Sequence, residues 1–174
     1  MFISILEKRF NLCSSMKFFY LIPALLISSA ALAQNNDYAI TSYAEEGFLA
    51  PNTNYLGEAW LQFAMPADSL TGYGITKAMF KANSTLNWHK HGSVQVLVIV
   101  DGVGYYQERG KEPVIMKEGD IIKCQPGTEH WHSSSKEHDV TYLAIYGGST
   151  PTEWTEVLTR EAYDAVAEKL ATSK

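Results

Sequence analysis

Two stretches decide the reading of this chain: His89-Lys90-His91-Gly92-Ser93-Val94-Gln95, and further on Pro126-Gly127-Thr128-Glu129-His130-Trp131-His132. In an extended backbone, successive side chains point to opposite faces. His89 and His91 therefore share a side, and Gln95, four residues on, returns to it. Three donors on one face make most of a metal site. The second stretch follows a Gly119-Asp120 turn, a strand and a Pro126-Gly127 turn, so His130 is expected from a different strand. Of the five histidines, four fall in these two clusters, which argues against a chance His-x-His on an exposed strand. Imidazole suits several first-row metals, and an amide oxygen moves the choice toward Mn, Fe or Ni, with Zn also compatible. The fifth, His138, lies in a polar turn and reads as solvated.

Outward from these stretches, short apolar runs recur at close spacing. Strands are predicted at 60–63, 74–80, 94–100, 103–107, 114–116, 121–124 and 140–146. Turn signals separate them: Asp101-Gly102, Arg109-Gly110, Glu118-Gly119-Asp120, Pro126-Gly127 and Gly147-Gly148. Asp101-Gly102 between apolar runs predicts a two-residue hairpin. Many short strands with regular turns predict an all-β barrel or sandwich. Only the tail reads as helix: Thr159 can cap it, and Tyr163, Val166, Ala167 and Leu170 give one apolar stripe.

The chain has 174 residues and a formal net charge of -5, with 46% hydrophobic residues. That suits one domain, or one domain plus a targeting segment. Without a clustered Lys/Arg face, no nucleic-acid partner is expected. Lys17, the apolar run 18–30 and the Ala31-Leu32-Ala33 site have the order of a secretory signal peptide. Cleavage after Ala33 is expected, giving a periplasmic or secreted protein with no membrane segment left. Met16 is the expected start, with 1–15 lying upstream of it. The mature chain then reads as an arm at 34–57, a barrel at 58–150 and a helical tail at 151–174. Cleavage removes Cys13 and leaves Cys124 alone, in an apolar run where a thiol reads as buried and inert.

The two opening stretches resemble the two motifs of the cupin family. The first is His-x-His with a further oxygen ligand and then a Gly; the second is a Gly, a Pro-Gly-like turn and a His. Gln95 stands where most cupins carry Glu, and Pro126 is shifted by a residue. The resemblance covers about 60–150 and implies a double-stranded β-helix, or jelly-roll, barrel of the small single-domain type. His89–Gln95, Pro126–His132, Leu143–Ile145 and Trp154–Thr159 together resemble a narrower bacterial group. It contains manganese-dependent hydroxynitrile lyases and the cupins associated with carboxymuconolactone decarboxylases. That likeness implies one divalent metal, Mn2+ first and Fe2+, Ni2+ or Zn2+ as alternatives, held by His89, His91, Gln95 and His130. It also implies a homodimer. Tyr142 and Tyr146 stand where the lyases carry a His and a Gln.

Gln is neutral, so three His and a Gln leave the charge of the metal uncompensated. His132, two residues beyond His130, reads either as a catalytic base or as a supporting hydrogen bond. Tyr142 and Tyr146 read as acid–base or orienting groups, or as barrel core. Trp88 and Trp131 read as walls of the site, and Met79 and Phe80 as core or lining. Two classes of function follow. One is a metal-dependent enzyme on a small polar organic substrate, of lyase, isomerase or dioxygenase type. The other is a metal-stabilised protein that binds a small, sugar-like ligand without turnover.

Overall fold

The computed structural model describes residues 42, 47–148 and 151–172. The expected signal peptide and half of the expected arm lie outside the described residues. The strands are β1 (Phe48–Leu49), β2 (Tyr55–Leu56), β3 (Ala59–Met65), β4 (Tyr73–Phe80), β5 (Thr85–Leu86), β6 (Trp88–Lys90), β7 (Gln95–Glu108), β8 (Val114–Lys117), β9 (Ile121–Cys124), β10 (His130–Ser134), β11 (Val140–Gly147) and β12 (Glu153–Glu156), followed by the helix α1 (Arg160–Thr172). Their pairing runs β1-β3-β4-β11-β7-β10-β5-β2, with β8 and β9 on β7, and β6 between β10 and β12. Every pairing is antiparallel. The result is a mostly β, curled half-barrel with one C-terminal helix, as expected. Among the described residues no helix is long and apolar enough to cross a membrane.

The Asp101-Gly102 hairpin expected from the sequence does not form. The runs on either side of it join into one strand, the 14-residue β7. Its first half pairs with β11 and β9, its second half with β10 and β8. The dipeptide is instead a bend, where the register against β11 shifts between Thr141 and Tyr142. Gly102 has φ of 80°, and a Cβ there would lie 2.0 Å from Asp139 O. A bulge with a left-handed glycine increases local twist and redirects a strand. Here it carries β7 from one wall of the barrel to the other.

Alternation sets the core. On β4, Thr76, Ala78 and Phe80 are buried; on β7, Gln95, Leu97 and Ile99; on β11, Val140, Tyr142 and Ala144. These rows lie side by side on the inner face of one wall of the barrel. Outside the barrel wall, α1 covers β10. Thr159 caps it as expected, accepting from Ala162 N at 3.2 Å. Tyr163, Ala167 and Leu170 are buried. The Tyr163 ring packs on Trp131 at 6.3 Å, and its hydroxyl donates to Ser134 O at 3.0 Å. Two β1 and β2 segments lie within the stretch expected as an arm, and β12 within the expected tail. All three are short, with weak alternation, so only their partners mark them as strands.

Candidate metal centre

Each wall of the barrel contributes a piece of the site. His89 stands on β6 and His130 opens β10, where their Cα atoms are register partners. His132 follows on the same face of β10. Gln95 opens β7, opposite Tyr146 of β11. His91 follows β6, and Gly127 N donates to its carbonyl at 2.8 Å, which ties the Pro126-Gly127 turn to the first histidine stretch. Ring centroids lie 4.3 Å apart for His89 and His130, 5.0 Å for His89 and His91, and 5.1 Å for His89 and His132. His89, His130 and His132 are buried, and their ligand atoms lie within 4.8 Å of one another, a group able to hold a metal ion. His91 lies beside this trio, 5.5 Å from the His130 ring.

The hydrogen bonds aim the rings. His89 Nδ1 lies 3.0 Å from Asn87 O, and His130 Nδ1 lies 2.9 Å from Thr128 O. A carbonyl only accepts, so both rings donate from Nδ1 and turn Nε2 inward. His130 Nε2 lies 3.0 Å from Gln95 Oε1. His130 thus has an acceptor at each nitrogen. An imidazolium, a cation between Nε2 and Oε1, or a turned amide that offers its N–H to Nε2 satisfies both. Burial holds His130 below the ordinary imidazole range, which disfavours the imidazolium. A divalent cation shared by His130 and Gln95 fits this donor set. Two further ring nitrogens, His91 Nε2 and His132 Nε2, are buried without a protein partner, as ligand or substrate-facing atoms would be.

All four imidazoles are biased to neutrality. Burial, then the neighbouring His130, holds His89 well below its ordinary value. The same two causes bring His91 down to about 4. Burial lowers His132 strongly, helped by His89. The neutral ring is the form that ligates a metal.

A cavity of about 260 Å³ opens onto these groups, lined by His89, His91, Gln95, His132, Tyr142 and Tyr146 on its polar side. Thus all three of the non-ligand candidates, His132, Tyr142 and Tyr146, reach the cavity. Tyr142 Oη lies 2.8 Å from His132 Nδ1, and Tyr146 Oη lies 2.8 Å from Thr76 Oγ1. A larger groove of about 470 Å³ lies beside α1 and β8. It contains none of the clustered histidines, so the smaller cavity is the candidate site.

The remaining lining was not assigned to the site from the sequence, where Trp154 figured only in the family likeness. Tyr55, Leu61, Phe63, Leu86 and Trp154 supply its apolar walls, and Thr152 its rim. Trp154 is the register partner of His89 on β12, and the two rings lie 5.1 Å apart. Thr152 Oγ1 lies 3.3 Å from His91 Nδ1. A tryptophan spaced from a strand-borne histidine cluster carries no local signal of contact; only the β6–β12 pairing makes one. Trp88 and Trp131, expected as walls, do not line the cavity. Alternation turns them to the other face of β6 and β10, where their rings meet at 6.3 Å and Arg109 stacks on Trp88 at 3.8 Å. Arg109 also pairs with Glu129 and Glu156, stapling β12 to the end of β10. This holds the Glu129 carboxyl down to about 2. Phe80 is core, stacked on Tyr142 at 5.8 Å. Cys124 is buried, as expected, with Sγ 2.9 Å from Tyr106 Oη.

A cupin domain family model matches residues 77–146. Over 86 residues the chain is 30% identical to an (R)-mandelonitrile lyase of Granulicella tundricola, a match that covers 48% of this chain and 66% of that protein. It therefore spans just under two thirds of the relative's length. A cupin-like protein from Thermotoga maritima superposes with a TM-score of 0.68 at 27% identity, over 73% of this chain and 98% of that one. A predicted oxalate decarboxylase from the same organism gives a TM-score of 0.57 at 20% identity, over 63% and 98%. At that identity the likeness is one of fold alone.

Proposed function

Because this chain belongs to the cupin superfamily, we propose that it is a metal-dependent enzyme acting as a lyase on a small polar organic substrate, in the manner of the mandelonitrile lyase it resembles. The observation that carries this reading is the contact of His130 Nε2 with Gln95 Oε1 at 3.0 Å, two acceptors facing each other in a buried site. The ligands are His89, His91, Gln95 and His130, and the metal is Mn2+ before Fe2+, Ni2+ or Zn2+. When bound, the ion supplies Lewis acidity toward a substrate oxygen or nitrogen, with no side-chain anion to offset its charge.

The chain's own residues do the rest. Tyr55, Leu61, Phe63, Leu86 and Trp154 take the carbon skeleton of the substrate and exclude water. His132, held by Tyr142, holds or moves a proton at Nε2. Tyr146, held by Thr76, orients the polar end. Among the described residues no Asp, Glu, Lys or Arg lines the cavity, so no side chain there pairs with a charged substituent, and an uncharged substrate suits the lining. The test is aldehyde release from a panel of cyanohydrins by protein loaded with Mn2+. The wild type should turn over at least one, and His132→Ala should lose on the order of 100-fold or more, the usual share of a proton-transferring group. No release from any cyanohydrin would remove the lyase reading.

The protein is further proposed to be exported, with the mature chain starting near Gln34, and to form a homodimer. The order of charge, apolar run and Ala-x-Ala site supports the first; the second follows from the family likeness. N-terminal sequencing of the envelope fraction tests one, where intact residues before Phe18 would refute it. Light scattering at micromolar concentration tests the other, where a monomer would refute it.

A further inference from the structure

The imidazoles of His89, His91 and His132 line one cavity, with that of His130 against His89, and the partners of their Nδ1 atoms divide the four into two kinds. For His89 and His130 the partner is a backbone carbonyl. It can only accept, so the ring proton sits on Nδ1 and Nε2 is bare. For His91 the partner is the hydroxyl of Thr152, an exposed residue whose own proton can go to solvent. That hydroxyl is free to accept from His91 Nδ1, which again leaves Nε2 bare. His132 differs. Its Nδ1 faces the Tyr142 hydroxyl at 2.8 Å, and Tyr142 is 1% exposed.

We infer that Tyr142 donates its O–H to His132 Nδ1 and so holds His132 as the Nε2–H imidazole, a hydrogen-bond donor into the cavity rather than a metal ligand. The reason lies in where the protons of a dry pair can go. Among the described residues, His132 Nδ1 is the hydrogen-bond partner of the Tyr142 hydroxyl. If that hydroxyl accepted from Nδ1–H, its own proton would have no acceptor among the described residues, at the cost of its desolvation. Donation in the other direction leaves no orphan between the two rings. It moves the open donor to Nε2, which is buried without a protein partner and belongs to a residue lining the cavity. Phe80 braces the pair, stacked on Tyr142 at 5.8 Å and edge-on to His132 at 6.5 Å.

The consequence concerns the compact trio of His89, His130 and His132. Two of its members present bare nitrogens and the third presents a proton. The remaining ligand positions then fall to His91 and Gln95, and His132 donates to a substrate oxygen. This second half rests on the metal reading above; the tautomer does not. Tyr142 is accordingly a positioning residue, acting through His132.

Nitrogen NMR of the full chain labelled with 15N-histidine tests this, first metal-free and then titrated with Zn2+ as a diamagnetic probe. In metal-free wild type, His132 should show a protonated Nε2 and an unprotonated Nδ1, the reverse of His89 and His130. Tyr142→Phe should move His132 toward the opposite tautomer and leave His89 and His130 unchanged. His132→Gln should still bind about one Zn2+ per chain. An unprotonated Nε2 on His132 in the wild type overturns the inference, as does loss of Zn2+ from His132→Gln. If wild type binds no Zn2+ at all, the metal reading fails, and the metal-free tautomer still decides this inference by itself.

Discussion

Gln95 Oε1 and His130 Nε2 lie 3.0 Å apart, joining the start of β7 in one wall of the barrel to the start of β10 in the other. Neither atom has a proton to offer while His130 donates from Nδ1 to Thr128 O. A cation between them would satisfy both, and the contact links the two sequence stretches that hold the clustered histidines.

Removing that cation should loosen the barrel. A ligand that binds only the folded state at about a hundredfold its Kd stabilises by about 2.7 kcal/mol. For a chain of this size that corresponds to about 5–10 °C in Tm. Purified protein is expected to carry about one divalent metal. Treatment with EDTA and the variant His130→Ala should each lower Tm by about that amount, and EDTA should have no further effect on the variant. A melting temperature indifferent to both changes would contradict a metal at this position.

Gln95 separates ligand from filler. Gln95→Glu should keep the metal and bind it more tightly, because a carboxylate adds a negative charge beside a divalent cation. The same change should reduce turnover by weakening Lewis acidity. Gln95→Leu should fold and lose metal affinity. Were Gln95 only core, the order would invert: Leu would be tolerated, and a buried unpaired Glu would destabilise. Metal titration of the three proteins, read with their melting curves, distinguishes the two orders.

Gly102→Ala should be costly although the side chain added is one methyl. A residue other than glycine in this backbone region costs about 1–3 kcal/mol. The new Cβ would also meet Asp139 O at 2.0 Å, so β7 must shift where it crosses between walls. Urea titration is expected to show a loss at or above the upper end of that range. A loss below about 0.5 kcal/mol would mean that the bend is not tightly held.

Cys124 should be silent in the folded protein. Burial pushes its thiol up to about 11, and the Tyr106 phenol bonded to it is also raised by burial. Thiolate is the reactive form, so a disulfide reagent at pH 8 should label unfolded protein rapidly and native protein only on unfolding. The sign of the pH effect follows. Both groups bind their proton more tightly when folded, so their contribution is full below the ordinary thiol range and declines as pH rises through about 9 to about 11. Stability that rises over that window would refute the assignment.

Much of the site was legible because alternation along a strand is local. His89 and His91 needed only an extended backbone to share a face, and so did His130 and His132. The cap at Thr159 and the stripe Tyr163, Ala167 and Leu170 were equally local. The Asp101-Gly102 bend was misread for the complementary reason. A dipeptide that favours a positive φ can close a hairpin or bend a strand, and the choice depends on whether the flanking runs pair with each other or with β10 and β11.

The sequence alone determined an all-β chain with a helical end, and the faces on which its histidines lie. Those are properties of backbone periodicity, set within a few residues. Only the tertiary structure decided that β12 lies on β6, which puts Trp154 against His89 and Thr152 against His91. It alone also placed Tyr55 at the cavity, Trp88 and Trp131 outside it, and the Tyr142 hydroxyl on His132. Those placements follow from strand partners and registers, which are chosen by the burial of the whole barrel. No window of residues holds that information.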